Sequence, residues 1–186
     1  MNRNKVEEEQ FTVKEIEFFA GDTPIMIIPL FNGDKLDFIS NEYGPFRVNV
    51  PTEVPLWLGM KLKKQQKCRI IAPNWFSEKL LVEKLQSERE KTSEFAEIHW
   101  HYIEITKILF QNAQDDIENA EKVRSLIKSI EETREEKIRL GLKAVDHSTT
   151  FIAVNNISCM ELNRIRFYAS KILDEFKKFQ DAIKSF

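Results

Sequence analysis

Hydrophobic positions fall in short, dense bursts up to about Pro73 and at helical spacing from there to the end of the chain. The first part therefore reads as strands and short helices, the second as long helices. Residues 5–19 (KVEEEQFTVKEIEFF) are acidic early and carry Val13, Ile16 and Phe19 later, which predicts a short helix. Gly21-Asp22 should stop it, glycine taking up the left-handed stop conformation. Pro24 leads into IMIIPLF, an apolar run of strand length. Asn32-Gly33-Asp34 is a turn signal, so LDFIS (36–40) is the expected hairpin partner. Tyr43 to Phe46 form a second turn, and Arg47 to Val50 a weaker extended piece. The stretch 51–76, PTEVPLWLGMKLKKQQKCRIIAPNWF, links the two regimes. It predicts a helix over 54–66, with Pro55 in its first turn. Val54, Leu58 and Leu62 share one face, Trp57 lies at its border, and Lys61, Lys63, Lys64 and Lys67 fill the opposite arc. CRII (68–71) reads as a strand returning to the small sheet. Pro55, Leu56, Trp57, Leu58, Leu62 and Trp75 are structural in this reading.

From Asn74, the expected N-cap, the first helix carries Phe76, Leu80, Leu81 and Leu85. A second runs from about Ile98 to Ala113, with Tyr102, Ile105, Ile108 and Leu109 on one face, and ends at Asp115-Asp116. Asn119 is placed to cap a third, in which Val123, Leu126, Ile127, Ile130, Ile138 and Val145 recur at helical spacing. HSTTFIAVNN follows as a loop or short extended piece. Ser158 and Glu161, three apart, carry the signature of a capping box for a last helix over 159–184. A helix of that length spans about 39 Å. The expected fold is mainly α: a small β-rich (α+β) domain over 1–73, then an elongated helical bundle over 74–186. A unit with so few strands has a small core, so its own stability should be marginal.

Composition narrows this only a little. At 186 residues, 42% hydrophobic and 31% charged, the chain is globular in type. A net charge of -2 makes no electrostatic case for nucleic acid as the main partner. Cys68 and Cys159 are far apart and form no CxxC pair, which fits a reducing, intracellular setting. No apolar run approaches the roughly 20 residues of a membrane helix, and NRNKVEEEQ is no signal peptide.

Candidate chemistry is sparse. His99 and His101, with Asp115 and Asp116 downstream, come nearest to a metal cluster. Two apart on a helix, the histidines would point in different directions, so surface or helix-start residues is the better reading. The five glycines form no phosphate cradle. No GxSxG is present, and Cys68 has no histidine close in sequence to activate it. EETREE (131–136) reads as a solvated helix face with Arg134 interleaved. No enzyme, cofactor or metal is expected. Lys61, Lys63, Lys64, Lys67 and Arg69 could contact phosphates, yet no aromatics interleave to stack bases. Solvent or an acidic protein partner ranks ahead of DNA. The last helix has apolar residues off its main stripe at Met160, Phe167, Tyr168 and Phe186. A helix apolar beyond one stripe packs on several neighbours. Met160, Phe167, Tyr168, Phe176 and Phe179 are therefore candidates for a subunit interface.

The run VPLWLGMKLKKQQKCRIIAPNW resembles the signature of Psf-two-type subunits of the eukaryotic GINS complex. That signature is VPLWLA, a lysine- and glutamine-rich helix end, KCR, two apolar residues, and a proline before a tryptophan. KEIEFFAGDTPIMIIPLF, the turn Gly44-Pro45-Phe46, the run from His101 to Leu142, and MELNRIRFYASKIL are similar to the family in the same order. Ile98 to His101, where relatives often carry prolines, and the loop 146–157 depart from it. The resemblance implies a non-catalytic subunit of a nuclear heterotetramer with three other GINS subunits. It also implies scaffolding of the MCM ring and a RecJ-like helicase factor, and a link to the leading-strand DNA polymerase. The runner-up is a DNA-contacting replication adaptor that uses the basic segment 61–69.

Overall fold

The computed structural model describes residues 11–39, 41–92, 94–143 and 154–184. Residues 5–10, Val145, most of the loop 146–157 and Phe186 lie outside the described residues. Helix α1 spans Val13–Ala20. Thr12 caps it: its hydroxyl accepts from the Glu15 N–H at 3.3 Å, and the Glu15 carboxylate accepts from the Thr12 N–H at 2.7 Å. Gly21 ends the helix in a right-handed conformation (φ −59°), not the left-handed one its glycine suggested. Space explains the residue instead. A Cβ there would stand 2.9 Å from the Phe18 carbonyl oxygen and 3.6 Å from the Trp57 Cβ.

Strand β1 (Pro24–Pro29) is the centre of a three-stranded antiparallel sheet, between β4 (Thr52–Pro55) and β5 (Cys68–Ile71). It buries Ile25, Ile27 and Pro29 on one face. The expected hairpin between β1 and residues 36–40 does not form. Strand β2 (Leu36–Asp37) pairs with β3 (Glu42–Tyr43) in a separate ribbon. The edge of the main sheet goes to β4, where Val54 lies opposite Ile25. Val54 is thus a strand residue, and 47–50 is not a strand. Residues 32–34 form no turn, and Gly33 bridges Phe46 instead; a strand buried on one face accepts the partner that completes its core. Proline at the end of an edge strand removes no ladder bond, so Pro55 closes β4 and serves as the N-cap of α2 (Leu56–Lys64).

Helix α2 buries Leu56, Leu58, Met60 and Leu62. Gly59 lets it lie close on the sheet: a Cβ there would meet Ile25 at 3.3 Å, Ile27 at 3.4 Å and Ile70 at 3.6 Å. After α2, Gln66 takes a left-handed conformation (φ 57°). The Lys67 N–H donates back to the Leu62 carbonyl at 3.0 Å, turning the chain into β5.

Beyond Pro73, residues Asn74–Phe76 form a 3-10 turn, and Ser77 rather than Asn74 caps α3 (Glu78–Glu90). Helix α4 spans Tyr102–Asn112, so Ile98 to His101 precede it. Helix α5 spans Ala120–Lys143. Asn119 does not cap it with its side chain, which donates to Glu78 at 3.2 Å. The Asn119 carbonyl accepts the N–H groups of Lys122 and Val123 instead. Helix α6 covers Cys159–Lys184 behind the expected Ser158–Glu161 box. The apolar core does not stop at Pro73. It runs from Ile25, Ile27 and Leu58 through Phe76 and Tyr102 to Ile127 and Ile130. Among the described residues, no helix is long and apolar enough to cross a membrane.

Gly59 provides a test of this packing. Gly59→Leu should force α2 off the sheet or strain its rotamers, at a loss of about 1–3 kcal/mol. Chemical denaturation should show a lower midpoint with little change in slope. An unchanged midpoint would mean that α2 does not lie on the sheet through Gly59.

Candidate functional site

The basic segment is not a uniform positive face. Lys63, on the last turn of α2, points inward at 13% side-chain exposure and sits 2.7 Å from Asp115 and 2.6 Å from Asp116. Burial pulls its pKa down, but the two carboxylates outweigh this and hold it above the usual lysine value. Asp116 also accepts the Ile70 N–H at 2.8 Å. Together these groups clasp α2 and β5 to the turn after α4. Lys61, Lys64, Lys67 and Arg69 remain exposed, with the Lys67 ammonium 5.7 Å from the Phe31 ring centre. The neighbouring Cys68 thiol is buried, and burial pushes its pKa up to about 11, so it is no ready nucleophile.

Exposed apolar groups gather elsewhere. On α1 and just before it, Phe18 is 74% exposed, and Phe11, Val13 and Phe19 are about half exposed. Phe19 packs edge-on against both Phe11 and Phe18. Next to them Trp57 stands partly open, edge-on to Phe38 at 5.1 Å. Phe18, Trp57, Met60, Lys64 and Ile108 line a groove between α1, α2 and α4. Pro55, Leu56, Leu58 and Leu62 are buried, and Leu56 also lines the groove. Trp75 is half-buried and stacks on His99, centroids 5.6 Å apart. Of the residues picked for an interface on α6, Tyr168 is 59% exposed. Met160 is 95% buried within this chain, so its own fold absorbs it. The side chains of Phe167, Phe176 and Phe179 lie outside the described residues.

The solvated reading of EETREE fails at its centre. Arg134 has no exposed surface, and its guanidinium holds Glu161 in a two-pronged grip: Nε to Oε1 and Nη2 to Oε2, both 2.8 Å. Nη1 donates to Glu88 at 2.5 Å and to the Ala96 carbonyl at 3.2 Å. Nη2 also donates to the Asn156 carbonyl at 2.7 Å. The Tyr102 hydroxyl donates to Glu161 at 2.9 Å, and Lys137 bonds the second oxygen of Glu88. One arginine thus joins α3, α5, the start of α6 and the two segments that precede α4 and α6. The one signal in the sequence is its place on the stripe of Ile127 and Ile130, seven and four residues before it, which faces the core.

The histidine pair does not assemble with Asp115 and Asp116, which are taken by Lys63 and Ile70. His101 is the N-cap of α4 and lies by Glu104, 3.7 Å from Nδ1 to Oε1. Glu104 is fully buried, which pushes its carboxyl up to about 7. Nothing in the spacing of apolar residues marked Glu104 as buried.

A model of the GINS complex protein helical bundle domain matches residues 75–180, which sets the class. A model of the PSF2 N-terminal domain matches residues 12–71. The DNA replication complex GINS protein PSF2 of Xenopus laevis is 36% identical over 174 residues, spanning 92% of this chain and 93% of that one. The Homo sapiens protein of the same name is 34% identical over 168 residues, spanning 89% and 90%. That of Schizosaccharomyces pombe is 32% identical over 171 residues, spanning 92% of each. The chain belongs to the PSF2 family of GINS proteins.

Acid should loosen the arginine hub. Burial raises the Glu161 pKa, but hydrogen bonds and charge from Arg134, with the Ser158 N–H and the Tyr102 hydroxyl, bring it below its ordinary 4.5. A carboxylate with a depressed folded pKa contributes stability above its unfolded value, and loses it as pH falls through the folded one. Glu161→Gln should cost about 3–5 kcal/mol at neutral pH and flatten the fall in stability below pH 4.5. Urea unfolding over that range measures both. A variant with the same acid slope as the parent would show that Glu161 is not held as a buried carboxylate.

Proposed function

We propose that this chain is a non-catalytic structural subunit of a four-subunit GINS assembly in the nucleus, working in DNA replication. In this reading it joins three other GINS subunits and helps hold the MCM ring and a RecJ-like helicase factor together. The leading-strand DNA polymerase is a further partner. Its small β-rich domain takes up residues 1–73 and its helical domain residues 74–186. The observation that carries the reading is the family membership, which spans nearly the whole chain in one order. The open aromatic surface around Phe18 and Trp57 and the exposed Tyr168 support it, because large apolar groups left on a monomer are typical of surfaces covered by partners.

The second reading is a DNA-contacting adaptor that uses Lys61, Lys64, Lys67 and Arg69, the exposed members of the basic segment. Lys63 drops out of it, since its charge is spent on Asp115 and Asp116 inside the chain. Four exposed charges without interleaved aromatics fit an acidic protein surface as well as they fit phosphates.

Co-expression with three companion GINS subunits and the charge reversal Lys61→Glu/Lys64→Glu/Lys67→Glu separates the two. The parent should co-purify as a 1:1:1:1 particle without ATPase activity. The reversal should weaken joining to the helicase ring and leave DNA affinity nearly unchanged. Intact assembly and ring joining, with DNA affinity lost and the salt slope reduced by about 0.9 per lost phosphate contact, would favour the adaptor. A stable, monodisperse monomer that binds none of the companions would overturn the assembly reading.

A further inference from the structure

The start of α4 and the start of α6 meet in the fold. The Cys159 N–H donates to the Trp100 carbonyl at 2.9 Å, which seats the first residue of α6 against the N-terminus of α4. His101 caps α4, and Glu104 follows three residues later on the same side of that helix. The contact therefore gathers an imidazole, a carboxylate and a thiol, with one ligand atom from each all within 4.8 Å of one another. Glu104 has no exposed surface, and both its carboxylate oxygens lack a hydrogen-bond partner; the Nδ1 of His101 lacks one too. An unpaired buried carboxylate is costly, and Arg164, the cation whose charge acts on Glu104, is itself paired with Glu131 at 3.2 Å.

The geometry points to a transition-metal site, with His101 Nδ1, a Glu104 oxygen and Cys159 Sγ as three protein ligands to Zn²⁺. Bond lengths of about 2.0–2.3 Å in a tetrahedral site place ligand atoms roughly 3.3–3.6 Å apart. The widest pair thus needs to close by roughly 1.2–1.5 Å from the present limit of 4.8 Å, a side-chain adjustment. A sulfur and a nitrogen donor beside one oxygen select zinc or cobalt over magnesium or calcium, which take oxygen ligands. On binding, the Cys159 thiol gives its proton to solvent, and the thiolate and carboxylate together balance the dication. A fourth position is left for water or for a group from a partner. Cys159 and His101 keep some exposed surface, the His101 side chain at 14%, so the ion enters as these side chains shift. The site does not depend on the assembly role, and either stands if the other falls.

The full-length chain, stripped with a chelator under reducing conditions, should be titrated with Co²⁺ and then Zn²⁺. One equivalent of Co²⁺ should bind and show tetrahedral d–d bands with a thiolate-to-cobalt charge-transfer band, all displaced by Zn²⁺. Cys159→Ser should abolish the charge-transfer band. Glu104→Gln and His101→Ala should each weaken binding more than tenfold. Cys68→Ser, in the sheet, should change nothing. Circular dichroism checks that each variant keeps its helix content, and if Glu104→Gln fails that check, His101→Ala and Cys159→Ser decide. No charge-transfer band in the parent overturns the site, as does a band that survives Cys159→Ser or disappears with Cys68→Ser. A buried carboxylic acid seen by infrared in the parent and unaltered by either metal would equally overturn it, leaving Glu104 as a neutral group.

Discussion

A single buried guanidinium holds the helical part together. A charge as deep as Arg134 is expensive to desolvate, and such an ion persists only where its hydrogen-bonding capacity is filled. Here Glu88, Glu161 and the carbonyls of Ala96 and Asn156 fill it, and the rings of Phe95 and Tyr102 lie beside it. Each partner comes from a different place in the chain. The pair with Glu161 is bidentate, so it fixes direction as well as distance. Glu161 serves twice, because its Oε2 also accepts the Ser158 N–H that opens α6. The start of the longest helix is therefore positioned by the same carboxylate that answers the arginine. Apolar side chains at Ile127 and Ile130 fill the space but would allow the helices to slide; the ion pairs set the register.

The second constraint is the clasp of Lys63 with Asp115 and Asp116. It joins α2 and β5 to the turn after α4, beside a core that continues from the sheet to the bundle. Membership in the PSF2 family and these two devices fit together physically. The two devices tie together the elements that carry Phe18, Trp57 and the exposed lysines, and the proposed role of placing partners asks for such ties more than for a cleft.

Much of this was legible in the chain. Apolar spacing located α5, and the Ser158–Glu161 spacing placed the start of α6, because periodicity and capping are local properties. CRII was recognisable as a strand, and Leu58 and Leu62 as buried. The hairpin expected from Asn32-Gly33-Asp34 was not, since partner choice in a sheet depends on residues remote in sequence. Val54 looked helical because a proline followed it, yet the same proline ends a strand. Arg134 lay hidden in an acidic run because its place on the stripe of Ile127 and Ile130 was outweighed by the charges around it. Lys63 looked like its neighbours, its partners lying some fifty residues further on. The meeting of His101, Glu104 and Cys159 requires two helices to dock and has no signal in spacing.

The most direct test of the arginine hub is a double-mutant cycle on Arg134→Met and Glu161→Met, read by urea unfolding at neutral pH. If the pair sets the register, each single change should cost about 3–5 kcal/mol. The double change should cost less than the sum by about 1–3 kcal/mol, because it leaves no unpaired buried charge. Hydrogen exchange at the first turn of α6 should rise in both single variants. Costs that add to within about 0.5 kcal/mol, with exchange at α6 unaltered, would show that apolar packing alone positions the helices and that Arg134 is incidental.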